Sequence, residues 1–187
     1  MSRIIEDGTG EGYKLKINNR NKAEVSSTAL TAYEDAVINE KAFNINTELF
    51  AITGTSESAC LYVKNNEDED IYITGLFAYS DFEILLKVYV EPKAGTIIST
   101  ADQINILNRK VGGSETFLFD AYKGFDGATI TGQNVTPLLY QIHTGRVFGN
   151  VNISIPRGGS VAITLQPSAG NTGNVNVYCG FVGYKIS

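Results

Sequence analysis

The segment from Val147 to Ser187 leaves room for little besides three closely spaced β-strands: VFGNVNISI, the turn Pro156-Arg157-Gly158-Gly159, SVAITLQP, the loop Ser168 to Gly173, and NVNVYCGFVGYKI. Val151, Ile153 and Ile155 alternate with Asn152 and Ser154, and Val161, Ile163 and Leu165 alternate with Ala162 and Thr164. A period of two puts one set on a buried face and the other toward solvent, so the spacing predicts half-buried strands. Upstream, LFAIT, ACLYVKN, IYITGLFAYS, EILLKVYVE, ETFLFDAY and PLLYQIHT recur at similar intervals. About eight or nine short strands joined by tight turns predict an all-β fold, a two-sheet antiparallel β-sandwich of jelly-roll type. An immunoglobulin-like sandwich fits less well, because it uses fewer strands and this chain has no tryptophan.

The sandwich is expected to occupy residues 46–187. Residues 1–45 read as an extended N-terminal arm: DGTGEG, the strand-like YKLKI, the polar NNRNK and SSTALTAYEDAVINEKAFNIN spread their apolar residues too thinly to build a core. The segment STADQINILNRK, residues 99–110, reads either as one or two helical turns, with Ile104 and Leu107 three apart, or as a loop crossing between sheets.

Charge narrows the range of partners. With 15 basic and 20 acidic residues the chain carries a net charge of −5, which opposes binding to phosphates or anionic lipid. Neither nucleic acid nor a membrane is expected as a partner. The N-terminus MSRIIEDGTGEGYK lacks the apolar centre of a secretory signal, so synthesis in the cytoplasm without export by that route is expected. The two cysteines, Cys60 and Cys179, lie in strand-like segments and read as buried, reduced thiols. If ACLYVKN and VYCGFVGY are the first and last strands of the roll, the two thiols lie close together.

A search for chemistry predicts no catalytic, cofactor-binding or metal-binding residues. The single histidine, His143, has no G-x-S-x-G or similar context to mark a nucleophile. One histidine and two distant cysteines cannot close a zinc shell. The run Glu67-Asp68-Glu69-Asp70 lacks the spaced ligands of a calcium loop and reads as a solvated turn. Gly8-Thr9-Gly10-Glu11-Gly12 neither follows a buried strand nor opens a helix, as a phosphate loop would. A carboxylate pair such as Asp120 with Asp126 would suit a glycosidase only at defined separations. The ten tyrosines, among them Tyr62, Tyr72, Tyr79, Tyr89, Tyr178 and Tyr184, read as packing or subunit-contact residues, with a sugar-binding face as the alternative.

The C-terminal order of Ile155-Pro156, RGGS, VAITLQP, SAGNTG and NVNVYCGFVGY resembles a recurrent pattern in virion proteins of tailed bacteriophages, as does IEDGTGEGYKLKINNRNKAEV followed by AFNINTELFAITGTSESACLYVKNNEDEDIYITG. Together these segments cover about two thirds of the chain. The resemblance implies a non-enzymatic structural protein of the virion, a capsid decoration or cement protein. Its implied partners are its own copies, as a homotrimer, and the major capsid protein or another virion protein. The alternative it implies is a tail or head fibre, or a receptor-binding module for host-surface glycans. An apolar side chain on a soluble arm needs a partner surface, so the residues expected to carry assembly are Ile4, Ile5, Tyr13, Leu15 and Ile17.

Overall fold

The computed structural model describes residues 31–94, 102–104, 106–124, 129–131, 138–142 and 145–186, with two short strands nearer the N-terminus. The chain divides into two compact units, residues 1–31 and 32–187. In the first, β1 (Lys16–Ile17) and β2 (Ala23–Glu24) pair antiparallel, with Lys16 opposite Glu24 and Ile17 opposite Ala23.

The second unit opens with α1 (Ala32–Ile38). Glu34 and Asp35 in its first turn suit the positive end of the helix dipole. Glu40, at φ 64°, ends it in the left-handed region. Then come β3 (Ala42–Asn46), β4 (Phe50–Thr53), β5 (Ser58–Asn65), β6 (Ile71–Ser80), β7 (Ile84–Val90), β8 (Lys93–Ala94), β9 (Asp102–Gln103), β10 (Ile106–Asn108), β11 (Phe119–Lys123), β12 (Ile130–Thr131), β13 (Leu138–Ile142), β14 (Gly145–Ile155), β15 (Ser160–Pro167) and β16 (Asn174–Lys185).

These strands form an all-β sandwich of two antiparallel sheets. The front sheet runs β10-β3-β16-β6-β14, with β4 also paired to β16, and the back sheet runs β13-β7-β15-β5-β11-β9. Four antiparallel pairs nest one inside another along the chain: β3 with β16, β5 with β15, β6 with β14, and β7 with β13. The chain is therefore a long double-stranded ribbon whose successive rungs alternate between the sheets. Between the sheets lies one core, in which Phe43, Ile45, Leu61, Ile71, Leu76, Leu86 and Phe181 are fully buried. Each large apolar side chain so buried contributes roughly 1.5–3 kcal/mol.

Three features differ from the sequence reading. The sandwich begins before residue 46: α1 and β3 belong to the second unit, and Phe43 and Ile45 are core residues paired against β16. Two apolar residues in a polar stretch carry little weight in composition, yet they complete an edge that β16 would otherwise leave bare. The sandwich thus starts one strand earlier than expected, and β3 rather than β5 pairs with β16. Cys60 on β5 and Cys179 on β16 are both buried in the core without a disulfide, on opposite sheets. Finally, the described residues around Ile104 and Leu107 include β9 and β10 and no helix, because β10 pairs with β3 and β9 with β11.

Neighbouring strands of the front sheet crowd two glycines of β16. A Cβ on Gly180 would fall within 3.0 Å of both the Ile45 carbonyl oxygen and the Phe77 ring, and one on Gly183 would meet the Tyr72 carbonyl oxygen and the Phe43 ring. Glycine there lets neighbouring aromatic rings lie flat on the strand.

Candidate interaction face

The two sheets differ in what lies over their outer faces. On the back sheet, Ala59, Tyr62 and Ala162 point away from the core and are nevertheless buried, packed with Tyr89, Tyr122 and Ile130. Strands β5 and β15 are therefore covered on both faces. The half-buried pattern expected for SVAITLQP gives way to a continuously buried run from Ser160 to Leu165. At one end of this face Glu57 accepts hydrogen bonds from Tyr89 at 2.7 Å and Thr164 at 2.6 Å, and it is ion-paired with Lys87. Burial alone would raise the Glu57 carboxyl, but the bonds from Lys87, Thr164 and Tyr89 hold it below its ordinary value. Desolvation and the same carboxylate push the Tyr89 phenol up to about 12.

The outer face of the front sheet is furnished differently. Its outward positions carry aromatic rings in two groups. Tyr33 from α1, Tyr184 and Tyr72 meet edge to face, with centroids 6.3 and 5.5 Å apart. Farther along, Tyr178 lies beside Phe77 at 6.3 Å and is stacked on Tyr79 at 5.4 Å with planes only 12° apart. Phe148 on the edge strand β14 lies over Gly75 and is 68% exposed. Between them stand Asn44, Thr74, Asn150, Asn152, Ser154 and Val182. None of the described outward side chains on these strands is charged, in a chain with 35 charged residues (15 basic and 20 acidic). Such a face pairs apolar ring surface with hydroxyl and amide groups, the chemistry of protein contact surfaces.

The acidic run belongs to a structural cluster. Glu67 is only 6% exposed, which overturns its reading as part of a solvated turn. Its carboxylate accepts the Leu118 N–H at 2.6 Å and pairs with Lys185 at 3.1 Å. Lys185 ends β16 on the inward side, pairs also with Glu115 at 2.7 Å, and lies 5.1 Å from the Phe117 ring centre. Burial would lower the Lys185 ammonium, but the bonds to Glu115 and Glu67 hold it above its ordinary value. Asp68 and Glu69 are more exposed and pair with Arg157 and Lys41. Glu40 anchors the turn before β11 through Lys110 and the N–H groups of Ser114 and Glu115, which bring its carboxyl down to about 2.

Of the residues expected to carry assembly, Ile4, Ile5, Tyr13 and Leu15 lie outside the described residues, and Ile17 is placed through its backbone in β1. His143 and Asp126 also lie outside them. The structure instead gathers Tyr72, Tyr79, Tyr178 and Tyr184 on the front sheet, while Tyr62 and Tyr89 pack on the back. Phe148, the most exposed ring among the described residues, was not singled out by the sequence. Its place opposite Phe77, in a strand alternating with Val151 and Ile153 across a bulge, was the available sign.

Among the described residues no group of three or more His, Cys, Asp or Glu side chains is arranged to hold a metal ion, and no helix is long and apolar enough to cross a membrane. Comparison with known protein families and with curated proteins returns no match to this chain.

Proposed function

We propose that this chain is a non-enzymatic structural protein of a tailed-bacteriophage virion, a decoration or cement protein that binds the head and its own copies. The observation that carries this reading is the aromatic outer face of the front sheet, whose described outward side chains carry no charge. A monomeric soluble protein keeps such patches small, whereas an assembly component needs one. The fold suits the role. We read the nested pairs β3–β16, β5–β15, β6–β14 and β7–β13 as jelly-roll winding, an architecture used in viral capsid domains. Repetition over a symmetric shell multiplies modest contacts, and a closed homotrimer would bury the face on every copy.

In this reading the arm adds the grip on the shell through Ile4, Ile5, Tyr13, Leu15 and Ile17. The test is binding of purified protein to particles lacking it. Changing Tyr13 and Leu15 together to Asp is expected to lower occupancy at least tenfold while leaving the circular dichroism of the sandwich unchanged. Full occupancy by the double variant refutes the arm's role. A second reading, a fibre or receptor-binding module, draws on the flat stack of Tyr79 and Tyr178, a platform on which a sugar ring could lie. Glycan-array binding that disappears in Tyr178→Ala would favour it over the first.

A further inference from the structure

Helix α1 lies over one end of the aromatic face, packed against β16 and β3. Few of its side chains hold it there. Ala36, 4% exposed, is the one buried residue of the helix, while Ala32, Glu34, Asp35 and Ile38 are exposed. Tyr33 adds its edge-to-face contact with Tyr184. Two polar atoms oppose the closed position: the Tyr33 hydroxyl and the Asn44 side-chain oxygen are out of contact with solvent, and neither has a hydrogen-bond partner. A buried polar group without a partner forfeits the bond that water would give it. A helix of seven residues has little stability of its own, so these few contacts decide whether it stays down.

The chain just after the helix is fixed far more firmly. Glu40, in the left-handed region, is bonded through its carboxylate to Lys110 and to the Ser114 and Glu115 N–H groups, and its carbonyl accepts from Asn108 at 3.2 Å. The Lys41 and Ala42 carbonyls accept the N–H groups of Lys185 and Arg109. Everything from Glu40 onward therefore keeps its place when α1 moves, which makes Asn39 and Glu40 the hinge. Lifting the helix breaks the bond from the Lys41 N–H to the Ala36 carbonyl, 2.8 Å, and exchanges it for bonds to water. We infer that α1 is a hinged lid on the aromatic face, which lifts in the free chain, uncovers Tyr184 and Tyr72, and returns the Tyr33 hydroxyl and the Asn44 oxygen to water. The lid sets how much of the face is open, whatever binds there.

The inference goes beyond the assembly reading and stands or falls without it, because the test uses the free chain. The experiment is native-state hydrogen exchange on dilute full-length protein, comparing the amides of residues 36–41 with those of β6 and β16. In wild type the α1 amides are expected to exchange at least about 100-fold faster than those of the two strands, as a unit that opens separately. Tyr33→Phe keeps the ring on Tyr184 and removes the unpaired hydroxyl, so it is expected to slow α1 exchange at least about fivefold and leave β6 and β16 unchanged. Asn44→Val, which removes the other unpaired atom, is expected to act in the same direction. Ala36→Asp puts a charge at the buried position of the helix and is expected to strip protection from α1 alone. The inference is overturned by α1 amides that exchange no faster than the strands, by α1 exchange that neither Tyr33→Phe nor Asn44→Val slows, or by loss of strand protection in Ala36→Asp. A lid that responds as expected, on a chain that never joins particles, refutes the virion reading alone.

Discussion

Replacing Lys185 with Met tests how the end of the sandwich is held. The Lys185 ammonium is 7% exposed and bonds to Glu115 at 2.7 Å and Glu67 at 3.1 Å. Met retains most of the apolar stem against Phe117 but leaves the Glu67 carboxylate, itself 7% exposed, without its cation. Orphaning a buried charge in this way costs about 3–5 kcal/mol, and the remaining Leu118 N–H offsets only part of it. Taking about 3 kcal/mol, and roughly 2–4 °C per kcal/mol for a domain of this size, the melting temperature should fall by about 6–12 °C. The double variant Lys185→Met with Glu67→Gln removes the orphaned charge while keeping an acceptor for Leu118. It is therefore expected to recover at least about half of the loss. Calorimetry and urea unfolding of wild type, both single variants and the double variant give the coupling. Because Lys185 is held above its ordinary value, its contribution is complete below about pH 10.5 and fades only as pH rises through the higher folded value, so the cycle should give one answer from pH 6 to 9. A loss under about 1 kcal/mol, or a double variant no better than the single, would refute the argument that Glu67 is held by this cation.

Two further substitutions probe the packing and the back face. Gly180→Ala should destabilise by about 1–3 kcal/mol, since its Cβ meets the Ile45 carbonyl, which cannot yield without shifting β3, whereas Gly173→Ala, with open space around its Cβ, should stay within about 0.5 kcal/mol in the same denaturant assay. Glu57→Gln should cost about 1–2 kcal/mol at pH 7 through its weakened bonds to Lys87, Tyr89 and Thr164. The Glu57 carboxyl is depressed, so its contribution is present above its ordinary value of 4.5 and is lost as pH falls through the folded value. The difference between wild type and Glu57→Gln should therefore shrink on acidification below that point, and a constant difference would contradict the assignment.

The regular spacing of apolar residues made the fold class legible, because strands with one face in a core must alternate. Its limits were equally physical. Alternation cannot show that β5 and β15 lie between two covered faces, since a buried Ala162 and an exposed one read alike. Residues 42–46 looked polar because Asn44 and Asn46 share the strand with Phe43 and Ile45, and that one strand decides where the sandwich begins and which strand lies beside the end of β16. The candidate face was half legible. Its tyrosines were visible as a group, but their division between front and back sheets depends on which strands pair. Glu67 was indistinguishable in sequence from its acidic neighbours, and only the inward end of β16 sets it apart by bringing Lys185 to it.

We propose that this sandwich is a particle component whose front sheet faces its own copies. Electron cryomicroscopy of tailed-phage particles assembled in the presence of this chain tests that most directly. The expected map shows copies of the sandwich around a symmetry axis, with Phe148 and Tyr178 buried between neighbours. Particles without the sandwich, or a sandwich whose front sheet faces open solvent, would contradict the account.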